Sequence, residues 1–303
     1  MNDSGIVIFG EVLFDHFADG TRVLGGAPFN VAWHLQAFGL APVFVSRVGD
    51  DEEGSAVRTA MQDWGMATEG LQTDSKLPTG RVDVQIVEGE PQYEILHPVA
   101  FDAIIAPGAG VDIPRNIRLL YHGSLALRSA PSRDALAGIR ALQPDTVFID
   151  VNLRSPWWNR RTVLNLAEAA DWVKLNHLEL DWLCPSLVGE PGQVTSFMTD
   201  HRLDGLLLTH GEKGAELFMP GGIVDRIKPD QAIKPVDTVG AGDAFTSVFI
   251  LGLVCGWPRD LTLSRAQVFA SDVCSYRGAT TQDSGFYRSF LRDWQMEEKI
   301  QDV

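Results

Sequence analysis

Cysteine is scarce in this sequence of 303 residues: three occur, Cys184, Cys255 and Cys274. Their odd number and wide separation argue against a disulfide framework or a thiolate metal cluster, and point to a reducing compartment. Positive charge is scarce too, with 25 Lys plus Arg against 40 Asp plus Glu and a formal net charge of −15. Such a chain repels a phosphate backbone, so no nucleic-acid partner is expected, although local backbone amides can still bind a small anion. Long apolar runs are missing: residues 248–255 fall far short of the ~20 needed to span a bilayer, so no membrane association is expected. Met1-Asn2-Asp3-Ser4-Gly5 carries no basic segment of a signal peptide, and a cytoplasmic location is expected. The seven histidines, His16, His34, His97, His122, His177, His201 and His210, show no paired spacing suited to a metal. Internal repeats, low-complexity tracts and long linkers are also lacking.

What remains is a chain 45% hydrophobic with 29 Gly and 16 Pro, long enough to bury one large core or two modest ones. Aliphatic runs at 6–9, 43–45, 119–122, 147–150, 172–176 and 206–209 read as strands buried on both faces. Amphipathic stretches near 30–38, 55–64, 132–142, 162–170 and 192–202 alternate with them as helices. This rhythm predicts an α/β fold with a central, mostly parallel sheet flanked by helices on both faces, and ligands at the strands' C-terminal ends. Residues 81–87 break it: they alternate strictly, Glu88-Gly89-Glu90 offers a turn, and 93–95 resume an extended pattern, which predicts an antiparallel hairpin. Residues 12–17 and 22–24, around Asp19-Gly20, predict a second. Inserted at about 12–24 and 81–97 of a single domain covering 1–303, the two hairpins make either a small β-sheet lid or an edge extension. After residue 255 helices are expected at 261–276 and 286–300.

The most informative stretch is Asp237-Thr238-Val239-Gly240-Ala241-Gly242-Asp243-Ala244-Phe245. Small residues at 240–242 let backbone N–H groups converge at the start of an apolar helix, where an anion binds. Asp243 there is either a favourable first-turn charge or a base beside an anion cradle, the pairing that phosphate transfer to an alcohol needs. Near the start, Gly25-Gly26-Ala27-Pro28-Phe29-Asn30 follows Gly10-Glu11-Val12-Leu13-Phe14-Asp15. Bare glycines, the two-sided amide of Asn30 and the carboxylate of Asp15 suit a polyol, or simply a loop. Asn176 and Glu179, three apart at the start of a helix, share a face on which a carboxylate can hold a water on Mg²⁺ or merely charge the first turn.

Together the two glycine segments resemble the two signatures of the PfkB (ribokinase-like) family of sugar kinases, at residues 25–39 and 237–245. The resemblance extends over nearly the whole chain. It implies a ribokinase-like fold, with ATP, Mg²⁺ and K⁺ as cofactors. It further implies that Asp243 is the catalytic base and that the amides of Gly240, Ala241 and Gly242 form the anion hole. Asp15, Gly25, Gly26 and Asn30 match the sugar contacts. Asp237, with the carbonyl of Val239 and the later segment at Gly278, matches a monovalent-cation site. Asn176 and Glu179 resemble an Asn-x-x-Glu element near the phosphates and Mg²⁺, and Thr209-His210-Gly211-Glu212-Lys213-Gly214 resembles a nucleotide-side loop with Thr209, Gly211 and Gly214 as its contacts. In many relatives the lid sheet forms a dimer contact, which implies a homodimer.

Asp150-Val151-Asn152-Leu153-Arg154 resembles the Asp-Pro-Asn-x-Arg pattern of fructokinases and 2-keto-3-deoxygluconate kinases, with Val151 in place of proline. A guanidinium at Arg154 can bridge substrate and phosphate through its planar fork. The expected reaction is therefore transfer of the γ-phosphate of ATP to a primary hydroxyl, O6 of fructose. The alternatives are 2-keto-3-deoxygluconate, which needs a cationic pocket drawn from Arg154, Arg81 or Arg128, a phosphorylated hexose or a nucleoside, and a non-catalytic sugar sensor of the same fold. Phe29 faces either the sugar or the core. Trp157 and Trp158 read as surface caps, and Cys184 as packing.

Overall fold

Alternation along the first strand decides how the chain layers. Ile6 and Ile8 point to one side and join a core with Phe29, Val31 and Phe249, while Val7 and Phe9 point to the other and join one with Leu136, Val163 and Leu180. A strand apolar on both faces must lie between helices, so the sheet is sandwiched. The computed structural model describes residues 4–87, 90–106, 108, 113–190, 192–229 and 236–296.

The strands are β1 Ser4–Phe9, β2 Leu13–Phe17, β3 Arg22–Gly25, β4 Val43–Gly49, β5 Leu71–Asp74, β6 Gly80–Val87 and β7 Glu90–Ile95, then β8 Asn116–His122, β9 Val147–Asp150, β10 Trp172–Asn176, β11 Gly205–Thr209, β12 Ala215–Met219 and β13 Gly222–Ile227. Nine of them form one sheet in the order β13-β12-β11-β10-β9-β8-β1-β4-β5. Pairing is parallel from β5 through β11, and antiparallel where β12 and β13 extend the edge. All six strands expected from the aliphatic runs are present in this sheet. β5, β12 and β13 break the expected pattern, because these strands carry polar residues such as Gln72, Glu216 and Arg226 and lack a continuous apolar run.

Helix Ala241–Cys255 is apolar around most of its circumference and lies buried between helices Ala27–Ala37 and Arg259–Val273. Phe29 is fully buried, with its ring 5.6 Å from Phe44 and 5.7 Å from Trp33, so it belongs to the core and not to a ligand pocket. The helix expected at 261–276 runs Arg259–Val273, and the last one runs Ser284–Asp293, shorter than the expected 286–300. Residues 297–300 and the turn residues Glu88 and Gly89 lie outside the described residues.

The remaining strands form a second sheet in the order β3-β2-β6-β7. Each hairpin is antiparallel, and the two are joined by parallel pairing of β2 with β6, from Leu13 opposite Gly80 to Phe17 opposite Val84. Val82 and Val84 face inward, while Arg81 and Asp83 pair on the other face at 2.6 Å. Strict alternation thus becomes a two-sided sheet standing off the large one.

Candidate active site

A cavity of about 650 Å³ opens between the small sheet and the C-terminal edge of the large one. It is lined by the turn after β1, the small sheet itself, the start of helix Ala27–Ala37, the loop after β9, Lys174 of β10, the start of helix Ala241–Cys255, and by Leu125 and Ala279. Ligands in open α/β sheets bind at this edge.

The helix start is built around Gly240. Its φ is 80°, and a Cβ there would stand 2.3 Å from the Cβ of Ala279, so a side chain is excluded both by conformation and by space. Gly240 and Gly242 line the cavity. Ala241 does not, and its N–H reaches back to the Thr238 carbonyl at 3.3 Å. Asp243 follows in the first turn and accepts a hydrogen bond from Asn30 Nδ2 at 2.7 Å. The protein packed round its carboxyl raises its pKa to about 6; the Asn30 bond, Lys174 and Arg154 oppose this rise, and Asp150 adds to it. A carboxylate held near neutrality, beside bare amides, can take a proton from an alcohol.

The amino-terminal motif comes to the same place. Asp15, Gly25, Gly26 and Asn30 all line the cavity, although Asp243 lies 213 residues further along the chain than Asn30. Gly26 has a φ of 112°, and a Cβ on it would lie 2.7 Å from the Glu11 carbonyl, so the turn pins the entry of helix Ala27–Ala37 against the end of β1. Burial raises the Asp15 pKa, against the pull of Arg154 and His16. Arg154 is exposed and lines the cavity; Arg128 is buried on Asp102 at 2.7 Å, and Arg81 is tied to Asp83, so neither belongs to it. Trp157 and Trp158 also lie away from it, the first against the Arg128 guanidinium and the second stacked on Trp182.

Asn176, Glu179, Thr209, Gly211, Gly214, Asp237 and Gly278 do not line the cavity. Asn176 and Thr209 are register partners at the C-terminal ends of β10 and β11. Asn176 and Glu179 form a capping box: Asn176 Oδ1 accepts from the Glu179 N–H at 3.0 Å, and Glu179 Oε2 accepts from the Asn176 N–H at 2.8 Å. Glu179 Oε1 also accepts from the Leu153 N–H at 2.7 Å, which ties the Arg154 loop to this helix. Burial raises the Glu179 pKa despite these bonds. Gly211 and Gly214 bracket a short turn closed by the His210 N–H on the Gly214 carbonyl. Asp237 accepts from the N–H groups of Val239 and Gly278, each at 3.0 Å, and so draws together the backbone just before Gly240 and the segment at Gly278.

Two charged side chains of the cavity wall have no place in the sequence expectations. Lys174, 7% exposed, lines the cavity and bonds Asp150 Oδ2 at 2.6 Å. Desolvation opposes its charge, but the attraction and hydrogen bond of Asp150 outweigh this and hold the ammonium pKa above its ordinary value. The hydroxyl of Thr246 is shared between Asp150 and the Gly242 carbonyl, at 3.1 and 2.8 Å. A lysine inside the apolar run Trp172-Val173-Lys174-Leu175 was the available signal. The other is Glu11, the acid directly after β1 and Gly10. Among the described residues no group of three or more His, Cys, Asp or Glu side chains converges on a metal site, and no helix is long and apolar enough to cross a membrane.

The pfkB family carbohydrate kinase profile matches residues 6–284. Probable fructokinase-5 of Arabidopsis thaliana is 29% identical over 269 residues, covering 82% of each chain. The fructokinase of Vibrio cholerae O395, solved with fructose, ADP and calcium ion bound, superimposes with a TM-score of 0.78 at 25% identity over 95% of this chain and 99% of that one. The fructokinase of Xylella fastidiosa, solved with bound ATP, gives 0.83 at 22% identity over 97% and 100%.

Proposed function

The chain belongs to the pfkB family of carbohydrate kinases, and from that premise we propose that it transfers the γ-phosphate of ATP to a primary hydroxyl of a neutral sugar, O6 of fructose. The charge of the cavity supports a neutral substrate. Three acids, Glu11, Asp15 and Asp243, line it against two cations, Arg154 and Lys174, of which Lys174 is already bonded to Asp150. A sugar acid would add a further negative charge with, among the described residues that line the cavity, only Arg154 free to meet it.

Asp15 and Asn30 hold sugar hydroxyls. Asp243 takes the proton of the attacking hydroxyl while Asn30 keeps its carboxylate aimed, and the amides of Gly240 and Gly242, with Lys174 beside them, oppose the charge moving onto the leaving phosphate. Both Glu179 oxygens keep a lone pair after accepting one N–H each, which suits holding Mg²⁺ through water beside Asn176. Bound there, Mg²⁺ neutralises phosphate charge. Asp237, with the backbone of Val239 and Gly278 that it gathers, is the proposed K⁺ site. Thr209, Gly211 and Gly214 form the proposed nucleotide side.

The small sheet contributes Leu13, Val23, Val82 and Ile95 to the cavity wall and acts as a lid that excludes water. Its exposed Phe17 favours a contact with a second copy of the sheet, and sedimentation should return twice the mass of one chain; a monomeric mass removes the homodimer. A cytoplasmic site of action fits the supply of ATP and the low, odd number of cysteines.

ADP release with Mg-ATP and K⁺ tests the reading across fructose, 2-keto-3-deoxygluconate, ribose, fructose 6-phosphate and adenosine. The expected result is a kcat/KM for fructose at least ~10-fold above the others, about 1.4 kcal/mol of discrimination. Preference for the keto acid would move specificity to Arg154. No turnover on any of them would favour the non-catalytic sensor.

A further inference from the structure

Glu11 has no part in the reaction derived above, yet its position is tightly fixed. A Cβ on Gly10 would stand 2.4 Å from Pro28 Cγ, and the Glu11 carbonyl closes over Gly26 on the other side. The side chain is 3% exposed, and what it borders is the cavity. One carboxyl oxygen, Oε2, has no hydrogen-bond partner, and the same is true of Asn30 Oδ1, whose amide nitrogen is committed to Asp243. Two buried acceptors in one cavity wall, both lacking donors, call for a ligand rich in hydroxyl groups.

We propose that Glu11 is a further specificity-determining residue, whose Oε2 accepts a hydrogen bond from a sugar hydroxyl that is not phosphorylated. This rests on the sugar-kinase reading above. Charged and titratable neighbours agree with it. Burial raises the Glu11 pKa to about 7, against the N–H groups of Glu11 and Ala126 and the charge of Arg154, and Asp243 raises it further. A hydroxyl donor stabilises the ionised form that burial disfavours, so sugar and carboxylate each satisfy the other.

The test is the variant Glu11→Gln. The N–H groups of Glu11 and Ala126 claim the single amide oxygen, which leaves an NH₂ donor where the unpartnered acceptor stood. The KM for the sugar is expected to rise at least ~10-fold, with KM for ATP and kcat within about threefold of wild type. A deoxy sugar lacking the contacted hydroxyl should bind wild type and variant equally, a cancellation that a merely structural role would not produce. Glu11→Asp keeps the acceptor one methylene short and should give an intermediate KM, which serves as the measurement if the glutamine variant does not fold. Wild-type turnover with an unchanged sugar KM in either folded variant, or a KM for ATP that moves equally, overturns the Glu11 assignment alone. Wild-type failure to phosphorylate any sugar overturns the kinase reading and this assignment with it.

Discussion

Asp243→Asn is expected to lower kcat by ~10²- to 10⁴-fold while the KM values for sugar and ATP stay within about threefold. Asparagine has the same shape, and its amide oxygen can still accept from Asn30 Nδ2, the bond that spans 2.7 Å in the structure. What it loses is the ability to take a proton. The pH dependence separates this from a loss of fit. Asp243 must be ionised to act, and burial places its pKa at about 6, so wild-type kcat should rise with pH through that value and level off above it. The residual activity of the variant should lack that limb. Stability moves the other way. A carboxyl whose pKa rises on folding, here from 3.8 to about 6, contributes stability that is complete below its unfolded value and is lost as pH rises through its folded one. At pH 8 the asparagine variant should therefore melt no lower than wild type. Turnover retained at a tenth of wild type or more would remove Asp243 from the role of base.

The layers and the two glycine turns were legible because they are local. Ile6 and Ile8 against Val7 and Phe9 is a period of two that any buried strand must show, and it set the sandwich before any contact was known. Gly240 could be read as an anion turn because small residues before an apolar run have few other uses. The cavity was less legible. Asp15, Asn30, Arg154, Lys174 and Asp243 are far apart in sequence and meet only through strand order, which no window of residues contains. The resemblance to a known family supplied that convergence for the motif residues, and it assigned no role to Lys174 or to Glu11, although Glu11 stands inside the opening Gly-Glu-x-Leu-x-Asp pattern. Glu179 reads either as a metal neighbour or as a first-turn charge, and the structure shows it closing the first turn with Asn176 and tying in the N–H of Leu153, 26 residues upstream, a bond no local pattern contains.

Lys174→Met is expected to destabilise the fold by about 3–5 kcal/mol, because it leaves the buried Asp150 carboxylate, 2% exposed, with the Thr246 hydroxyl as its one remaining side-chain donor among the described residues. At 2–4 °C per kcal/mol this lowers the melting temperature by roughly 10 °C. The double variant Lys174→Met/Asp150→Asn should recover most of that loss, since the unpaired charge goes with its partner while an amide oxygen at 150 still accepts from Thr246. Turnover should not recover with it. Lys174 Nζ would sit 3.4 Å from a Cβ placed on Gly242, so its charge stands beside that turn, and methionine returns none of it. The pair of variants thus separates two jobs held by one ammonium group: neutralising Asp150 in the fold, and opposing phosphate charge in the reaction. A stable single variant would mean that Asp150 tolerates its charge unaided. A double variant with restored kcat would mean that Lys174 holds the fold and takes no part in the transfer.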